Sequence, residues 1–387
     1  MSTPTEHGRH EAAQQVPAQH VPVQDVPVQD VPVQDVPAVR QRQSVWVDFK
    51  DAVSLRTVAL ILGVLFLQLG FILSYVGAFH APTPQKIPLA VVSASPQISD
   101  QSVAKLNAIV GSPLAAATLA DRATAERQIR SGQISAALII NTQGTADTML
   151  TSSGGGVSVA SAVTEVVDRV EASQQRTVTA IDIVPLQGGD GRGLTGFYLV
   201  IGWIVGGYLV AALLGVSAGA RPSTPRRAYF RLGAIVPYAI LSGLGGTLIV
   251  DQVLGALTGH FWTLWWLGAL LVAAAATVTM AFQVLFGVLG IGITVLVFVV
   301  LGNPSAGGAY QTTLLPPFWR WLSNGLPNGA GTDAVRRIVY LGSSGITGHL
   351  VVIAGYVVVG AVIAAGGSLL THRRAASPAG VATVDGQ

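Results

Sequence analysis

The chain has 387 residues, of which 50% are hydrophobic and only 11% charged, against roughly a quarter charged in an ordinary soluble domain. That balance places it in a membrane. The net charge of +3 rests on 22 Lys and Arg against 19 Asp and Glu, with Lys50, Lys86 and Lys105 the only lysines; this excludes a polybasic nucleic-acid surface. The absence of cysteine excludes disulfides, thiolate metal sites and a cysteine nucleophile.

Residues 1–42 carry VPAQH, VPVQD, VPVQD, VPVQD and VPAVR from Val16 to Arg40. Proline at every fifth position removes a backbone donor and biases the preceding residue toward extended backbone, so a disordered, polyproline-like cytoplasmic tail is expected. A solvated spacer is the simpler reading, a docking motif the sharper one. The tail lacks the basic start and apolar core of a secretory signal and is expected to be retained. In residues 43–56, Val45, Trp46, Phe49, Ala52 and Val53 share one helical side, and Asp48, Lys50, Asp51 and Arg56 the other. This suits either a helix in the headgroup layer or a continuation of the first span.

Six apolar segments are long enough to cross about 30 Å of hydrocarbon: 57–78, 195–217, 230–250, 261–280, 282–301 and 350–371. No charge occurs from Phe261 to Leu301 and only Thr277, Thr279 and Gln283 mark a turn, so the boundary between the fourth and fifth rests on length more than on a loop signal. Gly63, Gly70 and Gly77 recur along the first span, and Gly202 and Gly206 form GxxxG in the second. Such small faces let helices approach closely, within one chain or between two copies. Arg40, Arg42, Lys50 and Arg56 precede the first span, Arg221, Arg226, Arg227 and Arg231 fill the link between the second and third, and Arg373 and Arg374 follow the sixth. Positive residues in short loops stay inside. Six crossings then put both termini, including residues 372–387, in the cytoplasm, and 79–194 and 302–349 outside the cell membrane.

In the long outer segment, KIPLAVVSA (86–94), a weaker stretch at 113–119, ISAALIINT (134–142) and TVTAIDIVPL (177–186) read as strands. ATAERQIRSG and VSVASAVTEVVDRVEASQQ (157–175) read as helices. The expected fold class is therefore an α-helical integral membrane protein with six transmembrane helices and an α+β extracytoplasmic domain inserted between the first two. QGGDGRG (187–193) reads as a flexible hinge into the second span.

In residues 302–349, Asn303, Pro304, Gly307 and Gly308 are expected to stop the fifth span. Pro316 and Pro317 precede Phe318, Trp319 and Trp321, which with Arg320 suit an aromatic belt at headgroup depth. A second short helix is expected, capped by Thr332 or Asp333, with Ala334, Val335, Ile338 and Val339 on lipid or core and Arg336 and Arg337 on water or phosphate. The segment thus reads as a shallow outer interfacial loop.

The chemistry is sparse. No GxxxxGK followed by Ser or Thr exists to cradle phosphates. GVSAG (215–219) matches a nucleophile elbow, but it ends an apolar span, where small residues serve packing. The seven histidines lack metal-ligand spacing. No catalytic residue, metal or cofactor is expected, and an enzyme is not the reading. The spans hold no ionisable group near their middles, which disfavours a proton relay. Asp251 is placed at the outer boundary of the third span, and Gln68, Ser74, Tyr75 and Gln283 remain as potential polar lining.

One span, an outer domain opening with KIPLAVVSA, the segment AERQIRSGQISAALII, and five further spans with NPSAGG, LLPPFWRWL, LPNG and AVRRIVYLG between the last two resemble the second class of ABC export permeases. The chain is most similar there to the branch holding phage-infection proteins and fungal nitrosoguanidine-resistance proteins, over roughly residues 45 to 371. The resemblance implies an export permease, usually dimeric, that moves a hydrophobic or amphipathic substrate outward with a separate ATPase subunit. Arg221, Arg226 and Arg227 are the residues expected to meet that partner or anionic lipid. The alternative is a membrane-anchored interaction or receptor protein whose outer domain binds an envelope component or phage.

Overall fold

The computed structural model describes residues 54–220 and 224–376. The repeat-bearing tail, residues 43–53 of the expected interfacial helix, Arg221 and everything beyond Ala376 lie outside the described residues.

Among the described residues, five helices are long and apolar enough to cross a membrane. They are α1 (Leu55–Phe79), α5 (Thr195–Ser217), α6 (Pro225–Leu248, extended by a wide turn at Ile249–Val253), α7 (Phe261–Phe286) and α11 (Thr347–Ala376). The remaining apolar stretch forms a shorter helix, α8 (Leu289–Ser305). Its length of about 25 Å, at 1.5 Å per residue, falls short of a full hydrocarbon core. The break between α7 and α8 falls at Gly287, six residues beyond the expected boundary at 281. Gly287 takes a φ of +65°, which an L side chain resists. The chain then folds back so tightly that a β-carbon on Gly290 would lie 2.4 Å from the Phe282 carbonyl oxygen.

Helices α5, α6 and α11 all pack along α7, which is mostly buried, whereas α1 is almost wholly exposed. The close approaches are made by glycine. A β-carbon would lie 2.4 Å from the Val272 carbonyl oxygen at Gly207, 2.6 Å from that of Trp265 at Gly243, and 2.7 Å from the Val278 nitrogen at Gly360. The glycines expected to form seams differ in what they meet within one chain. Gly63 and Gly202 face open space, Gly70 and Gly77 stand at ordinary contact from Val300 and Trp319, and Gly206 lies against the Tyr238 hydroxyl. On α5 the tight position is one residue past the GxxxG pair. Gly207→Leu should lower the melting temperature in detergent by the equivalent of about 1–3 kcal/mol, while Gly202→Ala should leave it unchanged or slightly higher. Equal losses at both positions would contradict this seam.

Between α1 and α5 in the chain lies a five-stranded sheet of order β2-β1-β3-β4-β5. The strands are β1 (Ile87–Ser93), β2 (Leu114–Thr118), β3 (Ala136–Ile140), β4 (Ala146–Thr151) and β5 (Thr177–Asp182). All neighbours are parallel except β3 and β4. Alternation along the strands loads both faces. Leu89, Val91, Leu138 and Met149 meet α2 (Pro96–Asn107) and α4 (Val157–Ser173) on one side, and Ala90, Val92 and Leu150 meet α3 (Arg122–Arg130) on the other.

Helix α2 and strand β4 are additions to the expected elements. Strand β4 carries a buried carboxylate, Asp147, which accepts 2.7 Å hydrogen bonds from the Arg176 Nε and the Asn141 amide. Glu171 shares the same guanidinium at 3.4 Å. Burial, and then repulsion from Asp147, push the Glu171 carboxyl above its usual range. Its folded pKa being raised, ionised Glu171 costs stability as pH rises through and beyond that range. Glu171→Gln should therefore melt higher than the wild type at pH 8 and gain little at pH 4; a constant difference across pH would refute this reading.

Candidate functional site

Helices α9 (Pro317–Gly325) and α10 (Pro327–Tyr340) follow α8 and join it to α11. Proline at the first position starts each, because its missing N–H is one the helix does not need there. The start of α10 at Pro327 corrects the expected cap at Thr332 or Asp333. Both lie inside the helix, and Thr332 donates its hydroxyl to the Asn328 carbonyl. Of the two environments expected for Ala334, Val335, Ile338 and Val339, lipid or core, the structure gives the core: with Ala330 they belong to the same cluster as Trp203, Leu271 and Phe298 of the bundle.

That position imposes a demand for polar partners. Pro304 lies within α8 and offers no N–H to the carbonyls one turn earlier. The Val300 carbonyl accepts instead from the Ser74 hydroxyl of α1. The Phe298 carbonyl, in the widened turn Leu296–Leu301, accepts from the fully buried Asn328 at 2.9 Å, and that amide also reaches Asn303 Oδ1 at 3.0 Å. Asn303 and Pro304 are thus buried, and the helix continues through them to Ser305. Gly308 fits beneath the Phe197 ring, where a β-carbon would lie 2.4 Å away.

The charged centre of the site is Asp333, which collects three cation-forming side chains. Arg337 Nε donates at 2.6 Å, Arg336 Nη1 at 3.2 Å, and His349 of α11 lies at 3.0 Å through Nε2. Burial alone raises the Asp333 carboxyl, but the His349 hydrogen bond and the Arg336 and Arg337 charges outweigh it and hold it well below the usual range. Arg336 also donates to the Gly307 carbonyl at 2.8 Å, and Arg337 to that of Ser344 at 3.1 Å. Both arginines are therefore internal braces, which corrects the expectation that they face water or phosphate.

The same helix grips the sheet region. Tyr340 donates 2.6 Å to buried Asp190, whose other oxygen accepts the Thr195 amide at 2.9 Å, opening α5. Burial and this hydrogen bond push the Tyr340 phenol upward. Gln187 exchanges hydrogen bonds with the Thr258 amide at 2.7 Å and its carbonyl at 3.2 Å. The glycine-rich 187–193 segment, expected to be a hinge, is thus hydrogen-bonded at Gln187 and Asp190. Opposite, Gln311 accepts from the Val159 amide that begins α4. A cavity of about 120 Å³ lies between these layers, with Asp333, Arg336 and Arg337 in its wall beside Ser152 and Gly156.

The proline and aromatic stretch divides in two. Pro316 caps and Pro317 opens α9. Phe318 and Trp321 are exposed, as a belt requires, but Trp319 is buried with Ala78 and Leu315. Arg320 points inward, to Gln85 Oε1 at 2.8 Å and the Thr312 and Leu315 carbonyls at 3.1 Å. At the other end of α5, Arg226 and Arg227 are exposed, while Arg231 reaches back to the Ala218 and Gly219 carbonyls at 2.7 and 2.9 Å. A cation there complements the α5 C-terminus. Asp251, expected at a solvated boundary, is buried and accepts from Gln252.

Among the described residues, no three His, Asp or Glu side chains converge as a metal site. The chain matches no family model, no curated protein and no solved structure. Its class is that of a multi-pass helical membrane protein with a sheet-containing region, and the junction built on α10 is its most elaborate polar site.

Asp333→Asn removes the counter-charge from two guanidinium groups and should destabilise the protein by about 2–3 kcal/mol. Tyr340→Phe should cost about 1 kcal/mol through the lost bond to Asp190. Thermal unfolding in detergent at neutral pH checks both, and a loss at Asp333 no larger than at Tyr340 would overturn this ranking.

Proposed function

We propose that this chain is an export permease-like protein of the cell membrane, moving a hydrophobic or amphipathic substrate outward. In this reading α8 completes six crossings, the sheet region is extracytoplasmic and both termini are cytoplasmic. Homodimerisation is part of the reading, with the open glycine faces at Gly63 and Gly202 available for it. A separate ATPase subunit would meet the chain near Arg221, Arg226 and Arg227, since the sequence has no phosphate-cradling loop of its own.

The observation that carries the proposal is the junction itself. Helix α10 lies in the bundle core and holds the sheet region through Tyr340 and Asp190. A shift among the spans is thereby conveyed to the sheet region, whereas a receptor that needs only anchorage requires no such grip.

The test is efflux of a panel of fluorescent hydrophobic dyes from cells carrying the chain, Tyr340→Phe with Asp190→Asn, or no chain. Export predicts dye loss that depends on the chain and slows several-fold in the junction variant, with an ATPase subunit co-purifying and lost when the three arginines become glutamine. Dye retention identical with and without the chain, alongside an envelope protein captured through residues 86–186, would replace this reading with that of an anchored receptor.

A further inference from the structure

A second feature lies beside the junction, on the outer side of α4. An open cleft of about 720 Å³ runs between α4, the segment after α1, the start of α5 and the 309–314 loop. Its volume falls within the range of about 300–1,000 Å³ usual for small-molecule sites. Val157, Ala162 and Val166 of α4 form one wall, and Pro82, Leu194 and Leu314 the other. A further hollow of about 480 Å³ shares Pro84, Val166 and Arg169 with it and continues to Val110, which is 98% exposed. Together they make an apolar trough along α4.

Two properties identify what such a trough would hold. The first is position: Pro82 lies three residues past the end of α1, and Leu194 immediately precedes α5. The cleft therefore lies beside the ends of two of the membrane-length helices. The second is charge. Glu165, Arg169 and Arg192 are its charged lining residues, and Glu165 is engaged by Arg169 at 2.7 Å. Arg192 is left as the surplus cation. It stands between Gly191 and Gly193 at a φ of +60°, a left-handed conformation costly for a side-chain-bearing residue. Gly193 beside it shares that left-handed backbone at a φ of +69°, and the arginine side chain lines the trough.

We propose that this trough binds a single-chain amphiphile with an acidic headgroup that enters from the bilayer, its chain along Val157, Ala162 and Val166 and its headgroup at Arg192. The inference rests on the export reading for the direction of travel, and it names the substrate class for that reading.

The test uses the full chain in nanodiscs of zwitterionic lipid, photolabelled with a diazirine-bearing palmitate or with the matching hexadecanol. Palmitate should label α4 and residues 309–314. Arg192→Gln should weaken palmitate labelling about tenfold, the loss of one charge-assisted contact, and leave hexadecanol unchanged. Ala162→Trp, or Val166→Trp if the first variant fails to fold, should abolish both at an unaltered melting temperature. Label spread over the lipid-facing sides of α1 and α11 and indifferent to these tryptophans would overturn the proposal, as would equal losses of acid and alcohol in Arg192→Gln. Palmitate held by a chain that exports no dye would end the export reading and keep the site. Dye export without palmitate labelling would do the reverse.

Discussion

Asp333 draws Arg336, Arg337 and His349 onto one carboxylate, and much of the structure is arranged to satisfy that grouping. Two guanidinium groups half-enclosed beside a membrane bundle need acceptors, and they find the carboxylate together with the Gly307 and Ser344 carbonyls. These bonds fix the loops on either side of α10. Because α10 also contributes Ala334, Val335 and Ile338 to the bundle core, the charged face can point only toward the sheet region, where Asp190 and Tyr340 meet. An apolar face seated among the spans and a charged face against the sheet make one helix the common wall of both.

A second constraint comes from the lack of water at membrane depth, where each backbone polar group needs a partner from the protein. Helix α8 breaks the regular ladder twice, through the wide turn at Leu296–Leu301 and through Pro304. Ser74 and Asn328 answer those breaks from α1 and α10. The irregular helix is therefore held by its neighbours, and its defects specify which neighbours those are.

The long helices were legible because roughly twenty apolar residues in a row have few other uses; α5 begins and ends where hydropathy alone puts it. The sheet was partly legible. Strands β1 and β3 are runs of buried Val, Ile, Leu and Ala, whereas β4 mixes Asp147 and Met149 and carries too little apolar pattern to be seen. Helix α2 has a proline start but buries only Ser99 and Leu106, so its periodicity is faint. The junction was least legible. Arg336, Arg337 and Trp319 have the composition of a surface element, and only their partners, distant in sequence, turn them inward. Nothing local distinguishes an arginine that will meet phosphate from one that will meet an aspartate on its own helix. The tightest glycine on α5 was not legible for a similar reason: GxxxG names a helical face, while the backbone of α7 decides which glycine it approaches most closely.

Among the described residues, helix α1 is held in its C-terminal half, by the contact of Gly70 with Val300, by Ser74, by the contact of Gly77 with Trp319, by buried Ala78 and, just beyond, by Arg320 on Gln85. From Ala59 to Leu69 its apolar side chains are largely exposed. An element clamped at one end and solvated by acyl chains along the rest takes its tilt from the hydrophobic thickness around it. A thinner or thicker bilayer would thus swing α1 about the Ser74 clamp while α5, α6, α7 and α11 keep their mutual packing, making this helix the part of the protein most responsive to lipid composition.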